Sequence, residues 1–300
     1  MAPRAKRGAP MSSLERIVFG TTAGTTTNTD AAAHSTSALL RQGGRPGSPT
    51  VLLVHPANLR ARCWRAVLAA LPADWRCVAI DLSGHGASPR RAAYGVDRWV
   101  SECVALLDAL DVARVHVVGA SVGAAVAVEL AAARPDRVAS VTTVGGAFRA
   151  AEPGDTREFL AAIAARGVRQ AVLDVLVDEP GLEDALFAAV AADVSVNPDD
   201  TAAAIWTAAA EAAGLAAAPR LRCPTLAVVG DGDRGCPVAD SRAFADLTAG
   251  RLAVLVGHGH LPMYTAPARV AAYIASLVDG TRSHRPRRDR DPITRKESRA

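Results

Sequence analysis

No two of the five cysteines stand at the CxxC spacing of a zinc or redox pair, and five is an odd number. Cys63, Cys77, Cys103, Cys223 and Cys236 therefore supply neither a disulfide framework nor a metal-ligand set. Reduced thiols in a cytoplasmic protein, with no metal and no cofactor, are expected. The basic N-terminus is not followed by a continuous apolar run, so no secretory signal is expected. No uncharged apolar run reaches the roughly 18 residues of a membrane span, because Glu129 interrupts the longest one.

Basic residues are scarce where a fold would be. The net charge is +4, but residues 1–16 carry +3 and residues 279–300 carry +4, which leaves the middle at about −3. Basic tails on a mildly acidic body read as solvated chain, so neither a nucleic-acid partner nor a membrane surface is expected. The partner expected is a small-molecule substrate, and the oligomeric state is left open.

What is present is a texture of short buried runs. Residues 1–48 are rich in Thr, Ala, Gly and Pro and poor in core signal, and "FGTTAGTTTNTD" reads as a loop or weak edge hairpin. From Thr50 onward the runs "TVLLVH", "RCVAID", "RVHVVGAS", "VASVTTVGG", "TLAVVGD" and "RLAVLVGHGH" are apolar on both faces and end in Gly, Asp, Ser or His. Such runs suit buried parallel strands. Helical patterns lie between them, at Cys63–Leu71, Asp97–Leu110, Val122–Arg134, Val238–Thr248 and Pro267–Val278. Alternation of this kind predicts a doubly wound, mostly parallel α/β sheet.

One interval lacks strands altogether. Residues 149–218 hold alanine-rich helical stretches, with loops at "DEPG" and "NPDD" and twelve acids against four arginines. This reads as a helical lid inserted into a core made of residues 49–148 and 219–278. Residues 279–300 read as a disordered basic tail.

Ligands of open α/β sheets sit beyond the carboxyl ends of the strands, so the polar residues there carry the chemistry. Ser121 lies in Gly119-Ala120-Ser121-Val122-Gly123, a GxSxG at a strand-to-helix junction. The turn leaves the serine in a strained backbone conformation, and side chains two residues on either side would collide with strand and helix. The hydroxyl then stands at a helix N-terminus, where amides favour developing negative charge. A nucleophilic serine needs a base, and the base an orienting acid, in the chain order Ser, Asp, His. "GDGDRGCP" offers Asp231 and Asp233; "GHGHLP" offers His258 and His260.

With these motifs in order, residues 50–278 resemble the α/β-hydrolase superfamily, in its lidded serine-hydrolase branch of esterase, enol-lactonase and haloperoxidase-like enzymes. The resemblance implies a GxxDxxxP acid turn, matched by Gly230 to Pro237, which makes Asp233 the acid. It implies a GxGH base turn, matched by Gly257 to His260, which makes His260 the base and His258 a polar neighbour. It also implies an oxyanion hole from the amides of Val122 and of the residue after an HG dipeptide. Here that segment reads His55-Pro56-Ala57, so the glycine has become proline and Ala57 keeps the donor. "DLSGHGAS" resembles the family's DxxGxGxS loop, with Asp81 shaping a turn and His85 structural or solvent-facing. His55 is expected as a buried structural histidine, Trp64 as packing under the oxyanion loop, and Trp75, Trp99 and Trp206 as core or lid packing.

The function implied is hydrolysis of a small to medium, neutral carboxylic ester or lactone through an acyl-enzyme on Ser121. An acidic lid disfavours anionic substrates. The alternatives are a non-hydrolytic ligand-binding receptor and an acyltransferase on the same fold.

Overall fold

Val, Leu and Ile dominate the six apolar runs, and in the computed structural model each becomes a strand of one eight-stranded sheet. Residues 14–20, 35–43 and 47–283 are described. In chain order the strands are β1 (Glu15–Gly20), β2 (Ser35–Arg41), β3 (Thr50–Val54), β4 (Arg76–Asp81), β5 (Val115–Ser121), β6 (Val138–Gly146), β7 (Thr225–Gly230) and β8 (Arg251–Leu255). They lie side by side in the order β1-β2-β4-β3-β5-β6-β7-β8. The pairs β1–β2 and β2–β4 are antiparallel, and every other pair is parallel.

Because successive side chains on a strand point to opposite faces, each buried run feeds two cores. Val51 and Leu53 of β3 join the cluster with Trp64 and with Val67 and Leu68 of α1 (Arg65–Ala70). Val270 and Ile274 of α9 (Pro267–Ser283) complete that layer. Leu52 and Val54 join the other cluster, with Trp99 and Leu106 of α2 (Val96–Ala109) and Val126 and Leu130 of α3 (Val122–Ala133). Phe244 of α7 (Val238–Leu247) belongs to the same layer. Helix α3 is apolar almost all round and nearly every residue of it is buried, as a helix wedged between sheet and neighbours requires.

Between β6 and β7 stand α4 (Pro153–Leu176), α5 (Asp184–Asp193) and α6 (Asp199–Ala210), with no strand among them. A short helix α8 (Pro262–Thr265) follows the base turn. Helix α9 continues to Ser283, so the first residues expected in the basic tail are helical; residues 284–300 lie outside the described part. Most of "FGTTAGTTTNTD" also lies outside it. On either side of that stretch the chain adds more sheet than its composition signals. Strand β2 is flanked by β1 and β4 rather than lying at an edge, and its Thr36, Ser37, Ala38, Leu40 and Arg41 are buried.

The topology fixes where a ligand can sit. From β3 the chain crosses to β4 on one side, and from β5 to β6 on the other. The crevice between the carboxyl ends of β3 and β5 is therefore the topological switch point. Ser121 ends β5, and Pro56-Ala57 follows β3.

Candidate active site

Ser121 has φ 52° and ψ −123°, a left-handed value for a residue with a side chain, at the last position of β5 and immediately before α3. Such strain costs on the order of 1–3 kcal/mol and persists only where the surroundings enforce it. They do so here by backbone contact. A β-carbon at Gly119 would overlap the carbonyl of Gly123, and one at Gly123 would overlap the carbonyl of Val54. Helix α3 thus packs onto β3 and β5 with no room for side chains at either glycine, which holds the junction closed and Ser121 at its apex.

The turn after β7 carries Asp233, whose side chain is fully enclosed. Its Oδ1 accepts the Cys236 amide at 2.8 Å. The turn after β8 carries His260, whose Nδ1 lies 3.1 Å from Oδ1 and 3.0 Å from Oδ2 of Asp233. A carboxylate can only accept, so Nδ1 holds the proton and Nε2 is left for other work. Burial opposes charge on this imidazole, but Asp233 and the neighbouring Cys236 outweigh it and hold His260 well above the ordinary histidine pKa. Gly145 at the end of β6 makes room for the pair. It has φ 51°, and a β-carbon there would stand 2.9 Å from both Asp233 Oδ2 and the His260 carbonyl.

The two rival residues have other duties. Asp231 accepts the Gly257 amide through Oδ1 at 2.7 Å, tying the acid turn to the base turn. His258 Nδ1 meets the Thr265 hydroxyl at 2.9 Å.

Ser121 and His260 both line a cavity of about 840 Å³, with Pro56, Ala57 and Leu59 on one side and the inserted helices above. Val122 is the first residue of α3, and the amides of a first helical turn have no intrahelical acceptor. The Ala57 amide has no hydrogen-bond acceptor among the described residues. The roof is largely small and aliphatic (Ala161, Ala162, Ala165, Val172), with Phe159 stacked on Trp206 at 3.9 Å between ring centroids. Trp206 thus faces the cavity as well as packing the helices. Asp155, Glu158, Asp174, Asp178 and Glu179 also line it, against Arg166 and Arg234.

The loop bearing Ala57 is held from behind by two histidines. The Leu82 amide donates to His55 Nε2 at 3.0 Å, so His55 Nδ1 carries the proton and donates to the Pro56 carbonyl at 2.7 Å. The Asn58 amide likewise donates to His85 Nε2 at 3.0 Å, and His85 Nδ1 donates to the Ser83 carbonyl. Both rings are enclosed, and burial lowers both pKa values. His85 is therefore structural and not solvent-facing. Asp81 caps the same region, accepting the amides of Ala61 at 2.7 Å and Ala87 at 3.1 Å.

Sequence reading missed two residues here. Gly145 closes an apolar strand and has no motif around it. Glu179 sits in the "DEPG" loop, 80 positions from the turn it meets.

The chain is similar to known proteins. A model of the alpha/beta hydrolase family matches residues 51–273. Lipase LipV of Mycobacterium tuberculosis is 44% identical over 98 residues, which is 33% of this chain and 37% of the lipase. A dihydrolipoyllysine-residue acetyltransferase component of the acetoin cleaving system of Pseudomonas putida is 40% identical over 106 residues, 35% of this chain and 28% of that protein. The match thus spans only about a third of the length of these curated relatives. An esterase of Thermogutta terrifontis aligns with TM-score 0.75 at 22% identity, covering 89% of this chain and 99% of the esterase. An enol-lactonase of Burkholderia xenovorans aligns with TM-score 0.71 at 23% identity, covering 81% and 96%. At that identity the structural likeness speaks for the fold alone. The extent of the family match, with an eight-stranded, mostly parallel sheet beneath it, settles the classification: this chain belongs to the alpha/beta hydrolase family.

Proposed function

We propose that the protein is a serine hydrolase that cleaves a small to medium, uncharged carboxylic ester or lactone through an acyl-enzyme. One observation carries the reading. Ser121 is held at a left-handed φ on the wall of a cavity that His260 also lines, and His260 is held in one tautomer by Asp233. In this reading His260 Nε2 takes the Ser121 proton as Oγ attacks the carbonyl carbon. The oxyanion is met by the amides of Val122 and Ala57. Collapse returns the proton to the leaving alcohol, and water activated by His260 releases the acid. The carboxylates around the cavity disfavour an anionic substrate, and the alanine-rich roof suits an aliphatic acyl or alcohol group.

Labelling with a fluorophosphonate probe tests this directly, comparing the wild type with Ser121→Ala and His260→Ala. Wild-type labelling lost in both variants, with turnover of short-chain aryl esters, is expected. A folded wild type that takes no label would overturn the enzyme reading in favour of a ligand-binding receptor.

A further inference from the structure

The scheme above leaves one ionisable group beside the base unused. Glu179 lies in the turn between α4 and α5, and that turn is seated on both the acid and the base turns. The Gly259 amide donates to the Pro180 carbonyl at 3.1 Å. A β-carbon at Gly232 would lie 2.7 Å from Pro180 Cγ, and one at Gly181 would lie 3.2 Å from the Gly257 carbonyl. Glu179 Oε1 is pressed onto Gly259 so closely that any side chain there would overlap it. That oxygen is enclosed and has no hydrogen-bond donor among the described residues. Glu179 nonetheless lines the cavity, as do His260, Leu261 and Arg234.

A carboxylate in such a place needs a positive partner. The charged groups that face it are His260, Asp233 and Arg234; burial and the nearby Asp233 push its pKa above the ordinary glutamate value, and His260, the Leu261 amide and Arg234 offset that only in part. Facing His260 in turn are Asp233 and Cys236 from the acid turn. Asp231 and His258 are engaged by Gly257 and Thr265.

We propose that Glu179 is a positioning residue: seated on the base turn by the inserted helices, its carboxylate holds that turn in place and adds to Asp233 in stabilising the imidazolium of His260. This rests on the acyl-enzyme reading. When Ser121 Oγ bonds to the carbonyl carbon its proton passes to Nε2, and the resulting cation then has the Glu179 carboxylate near it in addition to that of Asp233. Base strength is thereby tied to the docking of the α4–α5 turn.

The test compares E179Q and E179D in the full chain, using kcat/KM for a neutral aryl acetate against pH and an NMR titration of the His260 imidazole, assigned by its loss in His260→Gln. Removing the negative charge weakens the imidazolium, so the acid limb of E179Q should move to lower pH by about 0.5–1 unit, with kcat/KM on the plateau falling severalfold. E179D, which withdraws the charge by one methylene, should move it in the same direction by less. An unmoved limb in E179Q overturns the inference whatever happens to kcat, and so do equal shifts in both variants, which would mark a packing effect. If E179Q does not fold, E179D alone decides by the direction of its shift. The imidazole titration needs no turnover. A protein that takes no fluorophosphonate yet shows the shift loses the hydrolase reading and keeps the link between Glu179 and His260. A labelled protein with an unmoved titration loses this inference alone.

Discussion

The floor and the roof of the cavity are built on opposite principles. The floor consists of strand ends and tight turns in backbone contact, where Gly119 and Gly123 admit no side chain and Gly145 little, and where Ser121 is strained. The roof is alanine-rich helix, and α4 is interrupted at Gly167, where φ is 75° and no atom would meet an added β-carbon. Two of the places where floor and roof meet stand out. One is the Glu179–Gly181 turn on the base loop. The other is the end of α5, where the Ser195 amide donates to the Asn58 carbonyl at 2.7 Å and Tyr264 donates to Asp193 at 3.0 Å. A floor made this way fixes atoms to within a fraction of an ångström, as chemistry requires. A roof of small aliphatic groups sets the shape of a substrate more than its orientation.

The largest effect expected of a floor substitution that keeps shape is that of Asp233→Asn. It would leave the geometry but favour the wrong imidazole tautomer, and kcat should fall by about 10⁴ while KM hardly moves. A fall of less than tenfold would mean that the acid turn is not part of the chemistry. A roof substitution should behave differently. Phe159→Ala removes one ring of the pair stacked at 3.9 Å, and should raise KM for bulky aryl esters about tenfold with kcat changed less. If kcat fell as far as in Asp233→Asn, the division between floor and roof would be false.

Much of the floor was legible in the sequence because its constraints are local. The two glycines around Ser121 sit two residues away on either side, and the glycine-rich turns after β7 and β8 carry their own punctuation. Choosing Asp233 over Asp231 required the resemblance, since both aspartates end an apolar run; the structure separates them by their partners. What was illegible depends on distant pairing. Strand β2 reads as "STSALLR", and its burial is understood only once the Ser37 amide is seen donating to Ser88 Oγ at 2.8 Å and the Arg41 guanidinium reaching the carbonyl of Pro72 at 2.7 Å. Glu179 likewise carries no motif, because its significance comes from Gly259.

The smallest effect expected concerns the histidines behind the floor. His55 and His85 are kept neutral by burial, so the unfolded chain binds protons that the folded chain refuses. Their contribution to stability is complete above the unfolded histidine pKa of about 6.5 and diminishes as pH falls below it. The melting temperature should therefore decline on acidification through that point, and less so in His85→Gln. An equal decline in both proteins would assign the effect elsewhere.

The central claim is that Ser121 becomes acylated, and rapid acid quenching of the protein with an aryl acetate, followed by peptide mass measurement, tests it most directly. One acetyl group on the peptide containing Ser121, absent in Ser121→Ala and accumulating in a burst ahead of steady turnover, is the result predicted. Ester turnover with no acetyl group on that peptide, or with the group on another residue, would contradict it.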